Sequence, residues 1–159
     1  MRFKILGPVA VLNEQRICVP PLPKARQVFA LLLSRYNYTV GTESFIDELW
    51  DDYPPRSAMT TLQTYVYHLR KWLNRERVTV APKCLLITRP RGYALAGTDD
   101  QLDARVFERL LAEGRALLTE GKSLECSRKL RGALSLWQGD PLSNVTHGRL
   151  LEAHVVHLE

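Results

Sequence analysis

Met59, Leu62, Val66, Leu69 and Leu73 recur at steps of 3, 4, 3 and 4, so Ser57–Asn74 is expected to be a helix that must bury one apolar stripe. Turned away from the stripe are Thr60, Thr64, Tyr67, His68, Lys71 and Arg75, with Gln63 and Arg70 at its margins, and no carboxylate occupies that face. An acid-free face can enter a DNA major groove without repelling phosphates. Gln63, Thr64, Tyr67 and His68 then offer directional contacts to base edges, while Arg70 and Lys71 meet phosphates. A solvated polar surface on an ordinary core helix has the same pattern, so the face needs support from the rest of the chain.

That support comes from both sides. Arg2–Leu6 alternates, Gly7-Pro8 punctuates, Val9–Leu12 is apolar, Asn13-Glu14-Gln15 reads as a turn and Arg16–Val19 resumes, which predicts a three-stranded antiparallel meander. Pro20-Pro21-Leu22-Pro23 leads into a first helix over Lys24–Arg35. Thr42 is the expected N-cap of a short second helix, Glu43–Asp51, whose apolar side is Phe45, Ile46, Leu49 and Trp50, and Asp52-Tyr53-Pro54-Pro55 stops it. Beyond the long helix, Val78-Thr79-Val80 and Leu85–Thr88 are β-rich. Arg89-Pro90-Arg91-Gly92 turns the chain into Tyr93-Ala94-Leu95, a small sheet with a basic tip. An arginine held forward by a stiff turn suits a narrow, electronegative minor groove. Thr61 and Tyr93 are candidate hydroxyl donors to phosphates at the rim, although Tyr93 also suits packing against the sheet.

Charge divides the chain. Residues 1–96 carry 14 Lys/Arg against 7 Asp/Glu, a formal +7, whereas residues 97–159 carry 8 against 10, a formal −2. A basic domain attracts polyanions, nucleic acid first among them. After the polar break Gly97-Thr98-Asp99-Asp100, two helical patterns, Asp103–Glu120 and Leu124–Trp137, meet at Gly121-Lys122-Ser123 as a hairpin. Gly139-Asp140-Pro141 ends the second, and Arg149–Glu159 is a further amphipathic helix that stops without a cap. The expected architecture is an α+β domain over 1–96 followed by an all-α, helical-repeat-like domain over 103–159 that is cut short.

Other classes of function find little footing. Gly121-Lys122-Ser123 has the ending of a phosphate-binding loop, but Ala116 stands where that motif needs glycine and no strand precedes it. His68, His147, His154 and His157 form no metal or catalytic constellation and are expected at the surface, although His154 and His157 share one helix face. Asp51/Asp52 and Asp99/Asp100 sit at element ends, where acids favour turns. Cys18, Cys84 and Cys126 lack paired spacing and read as small apolar fillers. Trp50, Trp72 and Trp137 read as core anchors. The strands supply only Phe3 and Tyr93 as aromatics, too few for an RNA-stacking sheet. The longest apolar run, Val28–Leu33, is far short of a membrane span. No enzyme activity, cofactor, metal or membrane association is expected, and the chain reads as cytoplasmic.

The order meander, three helices, terminal hairpin is that of the response-regulator type of winged helix-turn-helix. Phe3–Pro8, Pro23-Lys24-Ala25-Arg26, Ile46–Trp50, Thr61–Val66 with Leu69-Arg70, and Gly92-Tyr93 resemble the actinomycete antibiotic regulatory proteins. Phe107–Gly114 and Ala133–Trp137 resemble the opening of that family's bacterial activation domain. The resemblance implies a transcriptional activator of secondary-metabolite genes that binds double-stranded DNA at direct repeats, as two protomers head to tail, and recruits RNA polymerase holoenzyme. It favours Arg89, with Arg91 beside it, for the minor groove. The proline-stiffened loop Asp52–Arg56 is a candidate polymerase-facing surface. The competing expectation is a regulatory protein-interaction module whose winged helix binds DNA weakly or not at all.

Overall fold

A computed structural model describes residues 2–76 and 85–159. The expected strand at Val78-Thr79-Val80 and the filler role of Cys84 lie outside the described residues. The chain opens with β1 (Arg2–Lys4), β2 (Ala10–Asn13) and β3 (Arg16–Cys18), antiparallel in that order, with Phe3 opposite Val11 and Leu12 opposite Ile17. Phe3 and Val11 are buried and Ile17 is exposed, so one face of this meander closes on the core and the other meets solvent.

Helix α1 (Pro23–Ser34) begins on a proline, whose missing N–H would have had no helical partner there. Ala25 and every residue from Gln27 to Leu33 are buried, so α1 is apolar nearly all round and forms the central post of the fold. A two-residue strand, β4 (Val40–Gly41), leads into α2 (Thr42–Trp50), and α3 (Ala58–Arg75) follows the exposed loop. β5 (Leu85–Arg89) and β6 (Gly92–Ala96) form a hairpin, and β4 pairs with the other edge of β6, giving the order β4-β6-β5.

Two local expectations are corrected. Thr42 does not cap α2: Gly41 holds the cap position with no side-chain bond, and the Thr42 hydroxyl donates instead to the Arg91 carbonyl at 3.1 Å. The nearby turn carbonyl outcompetes the helix's own amides for that hydroxyl. On α3, Met59 leaves the buried stripe and is 49% exposed; Ala58, Leu62, Val66, Leu69, Trp72 and Leu73 are the residues that bury. Trp72 meets Phe29 edge to face at 6.0 Å.

In the second half, α4 (Asp103–Thr119) and α5 (Ser123–Leu134) form the expected hairpin. Gly114 allows the close approach, since a Cβ there would lie 2.8 Å from Leu130 Cδ2, and Gly121 turns the chain at φ +76°. Phe107 and Trp137 pack edge to face across its base at 5.6 Å. Helix α6 (Arg149–Leu158) does not extend the hairpin but returns to lie against α1 and α2. Phe3, Phe29 and Tyr36 share one buried apolar cluster with Leu102, Leu142 and Leu151, so the core crosses the expected boundary at residues 97–102 without a break.

Polar bonds tie the halves as firmly as apolar ones. The buried Asp103 carboxylate accepts from the Ile5 and Leu6 amides at 3.0–3.1 Å and from its neighbour Ala104. Burial pushes its carboxyl up from the ordinary range, and those three amides and Lys4 pull the other way. Asn144 pairs its side-chain amide with both backbone groups of Val9. Glu48, only 4% exposed, reaches from α2 to the first turn of α6 and accepts from the amides of Gly148, Leu150 and Leu151.

Candidate nucleic-acid interface

The outward side of α3 carries Thr60, Gln63, Thr64, Tyr67, His68 and Lys71, all exposed, and no acid occurs between Ala58 and Arg75. Tyr67, 60% exposed, meets His68 edge to face at 5.5 Å, so the two rings stand as one ridge. The Thr64 hydroxyl bonds back to the Thr60 carbonyl at 3.0 Å, which commits its proton within the helix. Half-buried Thr61 donates to the Ser57 hydroxyl at 3.4 Å, placing two hydroxyls at the start of α3, whose amides and dipole favour an anion. Met59, missed by sequence reasoning because it completed a regular stripe, joins this exposed side as an apolar contact.

Arg70 is placed differently from expectation. Its Nε and Nη2 both donate to the Leu86 carbonyl, at 3.2 and 3.1 Å, Nη2 also reaches the Thr88 hydroxyl at 2.7 Å, and its guanidinium lies 5.9 Å from the centre of the Tyr93 ring. Two of its three nitrogens are thereby spent inside the protein. The fork fastens α3 to the first strand of the hairpin, a task for which a planar, multiply donating cation is suited. Tyr93 in turn is half-buried, edge-on to Phe45 at 6.0 Å, and opposite Val40 and Thr88 in the sheet; its ring is a packing element.

The hairpin tip is fixed rather than loose. Arg89 pairs with Gly92 across the two-residue turn Pro90-Arg91. Proline suits the second position of a type II turn, and Arg91 takes the left-handed φ, +65°, that such a turn needs at its third. Gly92 is required behind it, because a Cβ there would stand 2.1 Å from the Val40 carbonyl oxygen. The Arg91 carbonyl accepts from both the amide and the hydroxyl of Thr42. Arg89, Pro90 and Arg91 are all exposed, so two cations sit on a turn anchored to the start of α2.

The histidines and acids outside this face resolve separately. His154 is not the surface group expected: it is partly buried, its Nε2 finds no hydrogen-bond partner among the described residues, and burial holds it down to about 4. Asp51 and Asp52 both pair with Arg149 of α6, and Asp100 pairs with Arg109. Cys18 is buried but does more than fill space, since it lies 3.4 Å from Glu76 Oε2; burial and that carboxylate push its thiol up. Among the described residues no group of His, Cys, Asp or Glu could hold a metal ion, and no helix is long and apolar enough to cross a membrane.

Residues 18–95 match the family described as transcriptional regulatory protein, C terminal, and residues 102–159 match the bacterial transcriptional activator domain. The regulatory protein DnrI of Streptomyces peucetius is 35% identical over all of this chain, which spans 60% of its length. The transcriptional regulatory protein EmbR of Mycobacterium tuberculosis is 30% identical over 94% of the chain, which spans 38% of it. The structure of M. tuberculosis EmbR in complex with a low affinity phosphopeptide superposes with a TM-score of 0.88 at 29% identity, over 99% of this chain and 41% of that one.

Proposed function

The chain belongs to the antibiotic regulatory protein family, which joins a winged helix-turn-helix to a bacterial transcriptional activator domain, and from that premise we propose that it is a sequence-specific activator of secondary-metabolite biosynthesis genes. The observation that carries the reading is the acid-free outward side of α3 set beside an anchored turn bearing Arg89 and Arg91. In this reading Gln63, Thr64, Tyr67 and His68 discriminate bases in the major groove, with Met59 against thymine methyls. Thr61 and Lys71 hold phosphates, and Arg89 reads minor-groove shape with Arg91 beside it. Arg70 and Tyr93 position the hairpin relative to α3.

Two protomers would sit head to tail on direct repeats about one helical turn apart, a heterologous contact that allows a monomer in free solution and a dimer on DNA. RNA polymerase would be recruited through the exposed loop Asp52–Arg56. A second reading, a protein-interaction module with little DNA specificity, draws on Leu118, Leu124 and Leu134, which stand exposed on the α4–α5 hairpin.

Titrating genomic fragments and random DNA at two salt concentrations separates the two. The activator shows a preferred site well above the electrostatic background, and each phosphate contact steepens the log–log salt slope by about 0.9. Equal affinity for all fragments would leave the interaction module standing. Inserting about five base pairs between the repeats puts the protomers on opposite faces of the duplex and is expected to abolish activation.

A further inference from the structure

Three charges between α2 and α6 stand where their own helices disfavour them. Helix α6 opens on Arg149, a cation at the positive end of the helix dipole, while α2 is followed by its C-cap Asp51 and by Asp52, two acids at a negative end. Each placement is explained by the other. One nitrogen, Arg149 Nη2, meets Asp51 Oδ1 at 2.5 Å and Asp52 Oδ2 at 3.0 Å. Asp51 also holds φ +53°, left-handed backbone that disfavours a side chain, at the point where the chain leaves α2 for the loop Asp52–Arg56. Behind these pairs the buried Glu48 carboxylate accepts from the Gly148, Leu150 and Leu151 amides, so the start of α6 is fixed on α2 without help from Arg149.

The loop is exposed along its whole length, Tyr53 most of all at 88%. Its backbone is tied only at the two ends, the Tyr53 amide to the Trp50 carbonyl at 3.1 Å and the Ala58 amide to the Pro55 carbonyl at 3.0 Å. Among the described residues, Arg149 alone bonds to a side chain of the loop. An exposed ion pair adds little to stability. Its consequence here is direction: the carboxylates on either side of the exit from α2 are drawn to one residue of α6, so the path that Tyr53–Arg56 take is set from the other half of the molecule.

We propose that Arg149 is a positioning residue for the loop Asp52–Arg56, through which the activator half sets how the winged helix presents that loop to RNA polymerase. This role rests on the reading of the loop as the polymerase-facing surface. It gives the region matched over residues 102–159 a part in activation that requires no polymerase contact of its own.

The test uses the 159-residue chain, an actinomycete RNA polymerase holoenzyme and a promoter fragment selected by its preferential binding in the fragment titration. Arg149→Asp sets a third carboxylate beside Asp51 and Asp52 while suiting the start of α6, Arg149→Gln only removes the charge, and Arg149→Lys keeps one nitrogen for both acids. Amide hydrogen exchange is read in the protein alone at Asp51 and Tyr53, whose N–H groups bond to the Asp47 and Trp50 carbonyls. Occupancy is read by footprinting and activation by run-off transcription. In Arg149→Asp and Arg149→Gln exchange is expected to quicken and transcript to fall, each by roughly threefold, with DNA occupancy and melting temperature close to the parent's. Arg149→Lys retains most of both. Unchanged exchange in the Asp and Gln variants overturns the positioning role, even if transcription is lost, because Arg149 would then act by direct contact. Faster exchange with an unchanged transcript overturns the polymerase-facing reading of the loop and the role of Arg149 with it. A parent chain that prefers no fragment overturns the activator reading itself, before any variant is made.

Discussion

The outward side of α3 and the junction between the two halves use polar side chains in opposite ways. At the junction Asp103, Glu48 and Asn144 are turned inward and every one is bonded to backbone on the other side. On α3 the Gln63, Tyr67 and His68 side chains are exposed, and among the described residues Tyr67 and His68 meet only each other's rings. A polar group whose bonds the protein completes is part of the fold, and one left to solvent is available to a partner. Arg70 stands between these cases: it lies on α3 beside the exposed face, yet it is bonded like a junction residue.

The sharpest test of the contrast is Glu48→Ala. It leaves three amides at the start of α6 without their acceptor in a buried setting, and roughly 2–4 kcal/mol of stability should be lost in urea unfolding. Tyr67→Ala on the exposed face should change stability by no more than about 0.5 kcal/mol while weakening DNA binding. Similar losses of stability from both would erase the distinction.

Acid should act on the junction through His154. His154 is held down to about 4, so the unfolded chain binds its proton near 6.5 and the folded chain does not. Its contribution is therefore present above about pH 6.5 and is lost as pH falls toward 4, amounting to no more than about 2 kcal/mol after allowance for partial exposure. Asp103, with its carboxyl pushed up, works in the opposite sense at the acid end of that window. In thermal melts between pH 7 and 4.5 the parent should lose melting temperature with acid more steeply than His154→Leu if the imidazole is responsible; a parent melting temperature independent of pH across that range would remove His154 from the account.

For Arg70 the informative variant is lysine. A phosphate contact survives Arg70→Lys with most of its affinity, whereas a fork that fastens the hairpin does not, so the lysine variant should lose nearly as much DNA affinity as Arg70→Ala, about 1–2 kcal/mol. Retention of affinity by lysine alone would return Arg70 to the phosphates.

Periodicity made the elements legible, because the 3.6 and 2 repeats survive in any context: the meander, α1, the α4–α5 hairpin and the acid-free face of α3 were all readable from it. It could not show the junction. Asp103 and Glu48 look in the sequence like ordinary helix-start and helix-face acids, and only the fold brings Ile5 and the start of α6 within reach of them. Met59 illustrates a smaller failure, since near the start of a helix a stripe residue can run past the edge of the core while Ala58 fills the place it would have taken. Thr42 shows that a side chain suited to capping goes to a nearer acceptor when tertiary structure supplies one. His154 gave no signal at all, because burial of a histidine depends on what lies across from it.

The smallest expected effect tests how the turn at the hairpin tip is held. Arg91 adopts φ +65°, a conformation that disfavours a side chain, and it does so with its guanidinium exposed and its carbonyl bonded to Thr42. Glycine at this position would take the same φ without that cost, although it also frees the unfolded chain, so Arg91→Gly should stabilise the protein by only about 0.5 kcal/mol or leave it unchanged. The same substitution deletes one of the two cations on the tip and leaves Arg89 with its proline-stiffened neighbour. If Arg89 reads groove shape and Arg91 adds only charge, Arg91→Gly lowers affinity alike on A·T-rich and G·C-rich flanks, whereas Arg89→Ala loses most on A·T-rich flanks. Fluorescence anisotropy on paired operators differing only in their flanks measures both. A flank-dependent loss from Arg91→Gly, with none from Arg89→Ala, would exchange the roles of the two arginines, and the strained φ at Arg91 would then be the feature that aims the reading side chain.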